Sequence, residues 1–384
     1  MMTSRLIVWI SAAFIVYAYV GYPVLLWIVQ FAFRKPVRKA PFEPSVSLLI
    51  SAYNESRVIA AKVRNSLALD YPAEQLEIVV ASDGSADDTA PIVRTLAAQE
   101  GRGRVRLVEF PVNRGKIVAL NEAVPELRGE IVVFSDASSM LAVNSVRELA
   151  ANFADPTVGA ASGVYQVLNA DAAKLGRQED LYWKYETFLK LQEAKLGTLT
   201  GAHGSLYAMR KSLYPSPPAG TINDDFVIPT SVLRHGFRIA YEPQAVAYEE
   251  AHEMEGFGRR VRIAAGNISQ LSEVGTFLWP PRPFLLFCFL SHKAARLLVP
   301  VAMIALAVST GLLWQFPFYR WLAAAQIAFY AAAILGAFHL LRWKILRLPY
   351  YFCMINAALF VSIYYLLVRR RRSNSSGRAG VMWT

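Results

Sequence analysis

Four short polar runs stand where apolar stretches end: Ser51-Ala52-Tyr53-Asn54-Glu55, Ala81-Ser82-Asp83-Gly84-Ser85, Phe134-Ser135-Asp136-Ala137-Ser138 and Asn223-Asp224-Asp225-Phe226. In an open α/β sheet, ligands bind outside the carboxyl ends of the strands. Asp83 could accept hydrogen bonds from the imide of a base. Tyr53, Asn54 and Glu55 open a loop before a helix, where a nucleotide can also meet free backbone amides. Asp136 could hold a divalent cation that bridges phosphate oxygens, since magnesium needs only one or two protein carboxylates. Of Asp224 and Asp225, one could cap a helix and the other act as a general base. Arg114-Gly115-Lys116 offers two cations and a flexible glycine to a diphosphate.

Each of these has a plainer reading. Asn54 or Ser56 could cap a helix, and Asp87 or Asp88 could cap the one after Asp83. Lys116 could belong to a solvated basic turn, and Asp136 could be a polar strand end. Arg259, Arg260 and Arg262 suit a pyrophosphate or the basic face of a helix lying on a membrane. The histidines are scattered. No second histidine follows His252-Glu253 at zinc-protease spacing, and no phosphate-binding Walker loop or complete dinucleotide fingerprint occurs.

The elements that must position these residues alternate. Residues 46–51, 76–82, 105–109 and 131–135 read as buried parallel strands, with helical patterns over 56–69, 89–99 and 117–127 between them. That alternation predicts a doubly wound α/β domain over residues 45–250. Residues 224–235 read as a helix stopped by Gly236, and 238–241 as a further strand. Around this domain the chain is apolar. Hydrophobic residues make up 54% and charged residues 18%, against about 25% charged in ordinary soluble domains.

Residues 6–33 carry no charge and are long enough to span a bilayer, so residues 1–34 read as an anchor and not as a removed signal peptide. Residues 251–291 read as an amphipathic, interfacial segment, with a short apolar piece at 284–290. Residues 292–368 hold apolar stretches at 297–314, 321–341 and 350–368, followed by a basic tail over 369–384. Three C-terminal spans would leave Arg369 to Arg372 on the wrong side for the positive-inside rule, so either one stretch does not span or 284–290 joins a further passage. The net charge of +11 falls largely beside apolar segments, at Arg34, Lys35, Arg38 and Lys39, at Arg342, Lys344 and Arg347, and at Arg369 to Arg372. Cytoplasmic anchoring on anionic lipid explains this placement better than nucleic acid does. Cys288 and Cys353 make neither a metal spacing nor a disulfide framework.

Taken in order, the motifs resemble those of the membrane-bound family 2 glycosyltransferases, inverting enzymes with a GT-A fold that include cellulose, chitin and hyaluronan synthases. The likeness is greater to the bacterial exopolysaccharide enzymes of that group and covers residues 46–271. It implies that Tyr53, Asn54, Glu55, Asp83, Lys116, Asp136 and Arg262 bind a nucleoside-diphosphate sugar. Asp136, the first acid of an Asp-x-Asp motif, would hold Mg²⁺ or Mn²⁺. Gly201, His203 and Gly204, in a segment with Ser205, Tyr207 and Arg210, would lie on the acceptor side. Asp224-Asp225 would correspond to the Glu-Asp pair whose second carboxylate is the catalytic base. It further implies a bacterial inner-membrane protein with its catalytic domain in the cytoplasm, acting on a lipid-linked or polysaccharide acceptor amid membrane lipids.

Two departures stand out. Ser138 replaces the second acid of the metal motif, and Arg259-Arg260-Val261-Arg262-Ile263 keeps only the arginine of Gln-x-x-Arg-Trp. The lost tryptophan and the few membrane segments point to transfer of one or a few sugars. A processive synthase and a non-catalytic membrane scaffold with a degenerate domain remain as alternatives.

Overall fold

Apolar runs in the first third of the chain build the centre of a sheet. In the computed structural model, which describes residues 1–169, 176–250, 256–275, 282–338 and 347–376, β1 (Val46–Ala52), β2 (Leu76–Asp83), β3 (Val105–Phe110) and β4 (Ile131–Asp136) pair side by side in parallel. Alternate residues face opposite cores. Leu48, Ile50, Ile78 and Val133 enter one, while Leu49, Val79, Val132 and Phe134 enter the other. Strands buried on both faces read as continuous apolar runs, which is why the sequence announced them.

Four more strands complete an eight-stranded sheet: β5 (Met140–Leu141), β6 (Val158–Leu168), β7 (Leu206–Arg210) and β8 (Arg238–Glu250). The order is β3-β2-β1-β4-β7-β6-β8-β5. β7 inserts antiparallel between β4 and β6, so the sheet is mixed although mostly parallel. β8 is longer than the expected strand over 238–241 and continues through Pro243, where its register against β6 slips.

The helices are α1 (Met2–Val16), α2 (Tyr22–Phe33), α3 (Ile59–Leu67), α4 (Thr89–Gln99), α5 (Lys116–Ala123), α6 (Ser145–Ala151), α7 (Gly176–Lys195), α8 (Asp224–Arg234) and α9 (Gly256–Gln270). The helix expected over 117–127 stops at Ala123 and tightens into the 3-10 turn Val124–Glu126. Pro125 causes this, since it has no N–H to donate to the preceding turn.

Among the described residues, three helices are long and apolar enough to cross a membrane: Met2–Phe33, Pro283–Leu312 and Pro317–Ala337. Residues 284–290 are therefore not a separate interfacial piece. They form the first turns of the Pro283–Leu312 helix, joined through a π turn at Leu290–Ala294. The apolar part of the last helix, Leu348–Tyr364, is shorter. Buried polar contacts clasp these helices to the sheet domain. Tyr22 Oη donates to Glu193 Oε1 at 2.7 Å, and His292 lies 2.6 Å from that same oxygen and 3.2 Å from Glu186 Oε2. Arg296 pairs with Glu186 as well.

Two expectations about basic residues change. Lys39 does not wait for lipid: its ammonium pairs with Glu148 and Glu242 of the sheet domain. Arg238 also donates to the backbone carbonyls of Lys35 and Pro36, both at 2.9 Å, so the start of the segment before Val46, which holds Pro36, Pro41 and Pro44, is fixed. In α9, Arg260 does not face a membrane surface. It is buried, donates to Glu179 at 3.0 Å and lies over the ring of Tyr351, because α9 packs along the Leu348–Ser376 helix. His252, Pro280, Pro281, His339, Arg342 and Lys344, the side chains of Arg259 and of Arg369 to Arg372, and the end of the basic tail lie outside the described residues.

Candidate active site

The loops after β1 and β2 hold each other. Asn54, at φ 55°, accepts a hydrogen bond from the Ala86 amide on Oδ1 at 2.8 Å, and its own N–H donates to Ser85 Oγ at 3.1 Å. Asn54 thus ties loop to loop, whereas its neighbours Tyr53 and Glu55 line the central cavity. Asp83, at the end of β2, is only 4% exposed. Its two carboxylate oxygens accept the amides of Arg114 and Gly115 at 3.0 and 2.7 Å. It thereby fixes the turn that presents Lys116. Gly84 allows this approach: at φ 65°, a Cβ there would sit 2.2 Å from the Asn113 nitrogen. The helix-cap reading of Asp87 and Asp88 holds in a modified form, with Asp87 accepting the Thr89 amide at 3.0 Å and the Ser56 amide at 3.0 Å.

Lys116 gathers the acids. Its ammonium lies 2.8 Å from Asp136 Oδ1 and 3.0 Å from Asp224 Oδ2. Burial works against the charge, but Asp136 and then Asp224 outweigh it and hold the ammonium well above the ordinary lysine range. Asp136 and Asp224, 88 residues apart in the chain, thus meet at one cation.

Asp225 stands beside them at the N-terminus of α8, and its carboxyl faces the same cavity. Withdrawal from water, reinforced by the charge of Asp224, pushes it up to about 6. A carboxyl tuned toward neutrality is suited to taking a proton. Pro229 shapes its surroundings. Lying four residues on, Pro229 has no N–H to offer the Asp225 carbonyl. That carbonyl instead accepts the Ala202 amide at 2.8 Å. Lys190, buried and brought down to about 8 by that burial, donates to the Ala202 carbonyl at 2.6 Å from the other side. The Gly-rich segment is therefore clamped against Asp225. Gly201 takes φ 100°, and Gly204 leaves a Cβ-sized gap 3.4 Å from Asp225 Oδ2. α9 closes in behind, with Gly266 so near Asn223 that a Cβ there would lie 1.9 Å from Asn223 Oδ1.

The remaining expected residues divide. Arg262 lines the cavity. His203 does too, but it is 3% exposed, meets Tyr241 Oη at 3.1 Å and packs against Trp183. Burial, with Lys190 nearby, holds its imidazole well below the usual range, so it is neutral. Tyr207 stacks on Phe134 with ring centres 4.7 Å apart. Arg210 turns away from the cavity to the carbonyls of Val158 and Phe153. Sequence reasoning missed Lys190 and Glu249. Of these only Glu249 left a signal, as an acid near the end of a strand.

One cavity of about 1360 Å³ joins the groups at the strand ends to the apolar helices. It starts at the strand ends around Ala52, Asp83 and Asp136 and runs past Asp225. It finishes between the apolar helices, at Leu297, Pro300, Phe329, Phe352, Ile355 and Leu359. No group of three or more metal-ligating His, Cys, Asp or Glu side chains forms among the described residues.

A family model described as "Glycosyltransferase like family 2" matches residues 44–264, more than half of the chain. A poly-beta-1,6-N-acetyl-D-glucosamine synthase of Staphylococcus epidermidis is 26% identical over 267 residues, which cover 64% of this chain and 63% of that protein. The synthase of the same name from Staphylococcus aureus strain COL is 28% identical over 240 residues, covering 61% and 57%. The match thus spans less than two thirds of either relative's length. Among solved structures, a mannosyltransferase from Pyrobaculum calidifontis in complex with GDP-Man and Mn²⁺ matches with a TM-score of 0.67 and 25% identity, covering 92% of this chain and 99% of that one.

Proposed function

The chain belongs to glycosyltransferase family 2 and has its GT-A-like fold, and from that premise we propose that it moves one sugar from a nucleoside diphosphate to a lipid-linked acceptor, with inversion. The observation that carries this reading is the continuity of the cavity. Its polar end gathers Asp83, Lys116, Asp136 and Asp225, and its apolar end lies between helices of membrane length. A soluble acceptor would need only the first half. The positive-inside reading of residues 34–39 supports a cytoplasmic catalytic domain on the inner membrane.

In this mechanism Glu55 and Asp83 hold the base and ribose, and Lys116 and Arg262 face the diphosphate. Asp225 accepts the proton of the acceptor hydroxyl as its oxygen attacks the anomeric carbon from the face opposite the diphosphate. The bond from that carbon to the diphosphate oxygen breaks, and the nucleoside diphosphate leaves with its charge balanced by the two cations. The residues also suit Mg²⁺ or Mn²⁺. Asp136 is a hard oxygen donor open to the cavity, and the Lys116 ammonium already stands against it as a cation. Such an ion, held by Asp136, would neutralise the departing diphosphate. The GDP-Man and Mn²⁺ of the Pyrobaculum enzyme are consistent with this donor class.

The name of the staphylococcal relatives favours a second reading, processive synthesis of a polysaccharide. One experiment tests both. Membranes containing the protein are given labelled UDP-, GDP- and dTDP-sugars with extracted lipid-linked acceptors, with and without a chelator, beside Asp225→Asn. A single labelled lipid product, absent in the variant, supports the first reading. A product ladder supports the second. If no sugar is transferred and no nucleotide is bound, a non-catalytic scaffold is the better account.

A further inference from the structure

We propose that Glu249 completes a divalent-cation site with Asp136, supplying the acid that position 138 lacks. The proposal rests on the nucleoside-diphosphate reading above and names a ligand that the motif itself does not contain.

The topology brings Glu249 there. β5 and β8 pair antiparallel, Met140 opposite Tyr248 and Leu141 opposite Ala247. The residue after Tyr248 therefore lies beside the loop that leaves Asp136. Ser138 Oγ donates to Glu249 Oε1 at 2.8 Å, so the serine hydroxyl orients the carboxylate toward the place where an acid at 138 would have reached. Asp136, Ser138 and Glu249 all line the cavity. Every donor is an oxygen, the set that Mg²⁺ and Mn²⁺ prefer.

Two further observations point to a ligand at this spot. Ser205, a residue only 6% exposed at the edge of the same cavity, has a buried Oγ with no hydrogen-bond partner in the structure. Its backbone carbonyl accepts from Ser135 Oγ at 2.9 Å, which places it next to Asp136. Beneath the loop lies Lys62, fully buried, whose ammonium donates to Ser135 Oγ at 2.7 Å and to the Ser139 carbonyl. One side chain thus pins both ends of the stretch that carries Asp136 and Ser138. Burial brings Lys62 down to about 7, while Asp136 and Glu249 act on it in the opposite sense. A loop anchored from below, with carboxylates on its upper side, is a rigid seat for an ion arriving from the cavity.

The test uses the full chain in detergent and reads Mn²⁺ binding by loss of the free-ion electron paramagnetic resonance signal, with and without UDP or GDP. Binding of a fluorescent nucleotide analogue is followed separately. Glu249→Gln is expected to weaken Mn²⁺ binding roughly 10–100-fold, the effect usual for a group that supports a metal site. Ser138→Asp added to Glu249→Gln is expected to restore most of it. Wild-type Mn²⁺ affinity in Glu249→Gln, beside a loss in Asp136→Asn, overturns the proposal and leaves the enzyme reading standing. If the wild type binds neither nucleotide nor Mn²⁺, both fall. Should Glu249→Gln not fold, Ser138→Ala answers the question, because it removes the hydroxyl that orients the Glu249 carboxylate. Weaker Mn²⁺ binding supports the seat, and unchanged binding overturns it.

Discussion

Asp136 and Asp224 meet at the ammonium of Lys116, and Glu186 and Glu193 meet at the imidazole of His292. Each gathers two carboxylates around one nitrogen-bearing side chain, in different surroundings, and Arg296 adds an ion pair to the second. In the first, the side chains of Lys116 and Asp136 are 35% and 39% exposed and face the cavity. In the second, the side chains of Glu186, Glu193 and His292 are at most 5% exposed, and the partners come from α7 and the Pro283–Leu312 helix. An ion pair open to a cavity can trade partners with an arriving diphosphate or cation. One withdrawn from water cannot be broken cheaply, because an unpaired buried charge is costly. The first arrangement is thus the one open to a ligand, and the second fastens helix to sheet domain.

Substitutions can separate these roles. Asp225→Asn, next to the open pair, is expected to lower turnover by about 10²–10⁴-fold, the usual contribution of a general base, with nucleotide binding retained in a filter assay. Lys116→Met should cost roughly 10²–10³-fold, as for loss of one charge-stabilising donor, and should weaken nucleotide binding too. Glu186→Ala at the withdrawn pair should act otherwise. It takes the carboxylate from Arg296 and leaves His292 with Glu193 alone, and should destabilise the fold by about 3–5 kcal/mol, read as a lower melting temperature, while folded molecules keep their turnover per site.

The pH profile offers a gentler test. Because the pKa of Asp225 is raised to about 6, the base is ready above that value and is lost as pH falls through it. The rate should then drop tenfold per unit on the acid side, and Asp225→Asn should abolish that limb. The smallest effect expected is from Pro229→Ala. The new amide competes for the Asp225 carbonyl now bonded to Ala202, so turnover should fall roughly 2–10-fold, the worth of one hydrogen bond, with the melting temperature little moved.

The readable parts of this molecule are those whose cause is local. β1, β2 and β4 sit where the apolar runs placed them, each extended by a residue, and α4 occupies the expected 89–99. Doubly buried strands and amphipathic helices write their periodicity directly into the chain. The polar strand ends could be found for the same reason. β7 inside the sheet, and with it the meeting of Asp136 with Asp224, could not, since that depends on pairing across some 70 residues. Lys190 and Lys62 look like ordinary surface lysines of a helix until their surroundings are known. Pro229 was visible in the sequence, but only the structure shows that the carbonyl it spares belongs to Asp225.

The tight seat of α9 bears on how the protein can be prepared. Gly266 presses on Asn223, the residue before the acidic pair, and α9 is itself held by the last helix through Ser362 and the Val261 carbonyl. A soluble fragment cut after β8 would keep every strand and still lose the wall behind Asn223 and the acidic pair. Crystallisation or screening efforts should therefore keep the C-terminal helices and solubilise them, because the hydrophobic tail buttresses the cavity and is not a detachable handle.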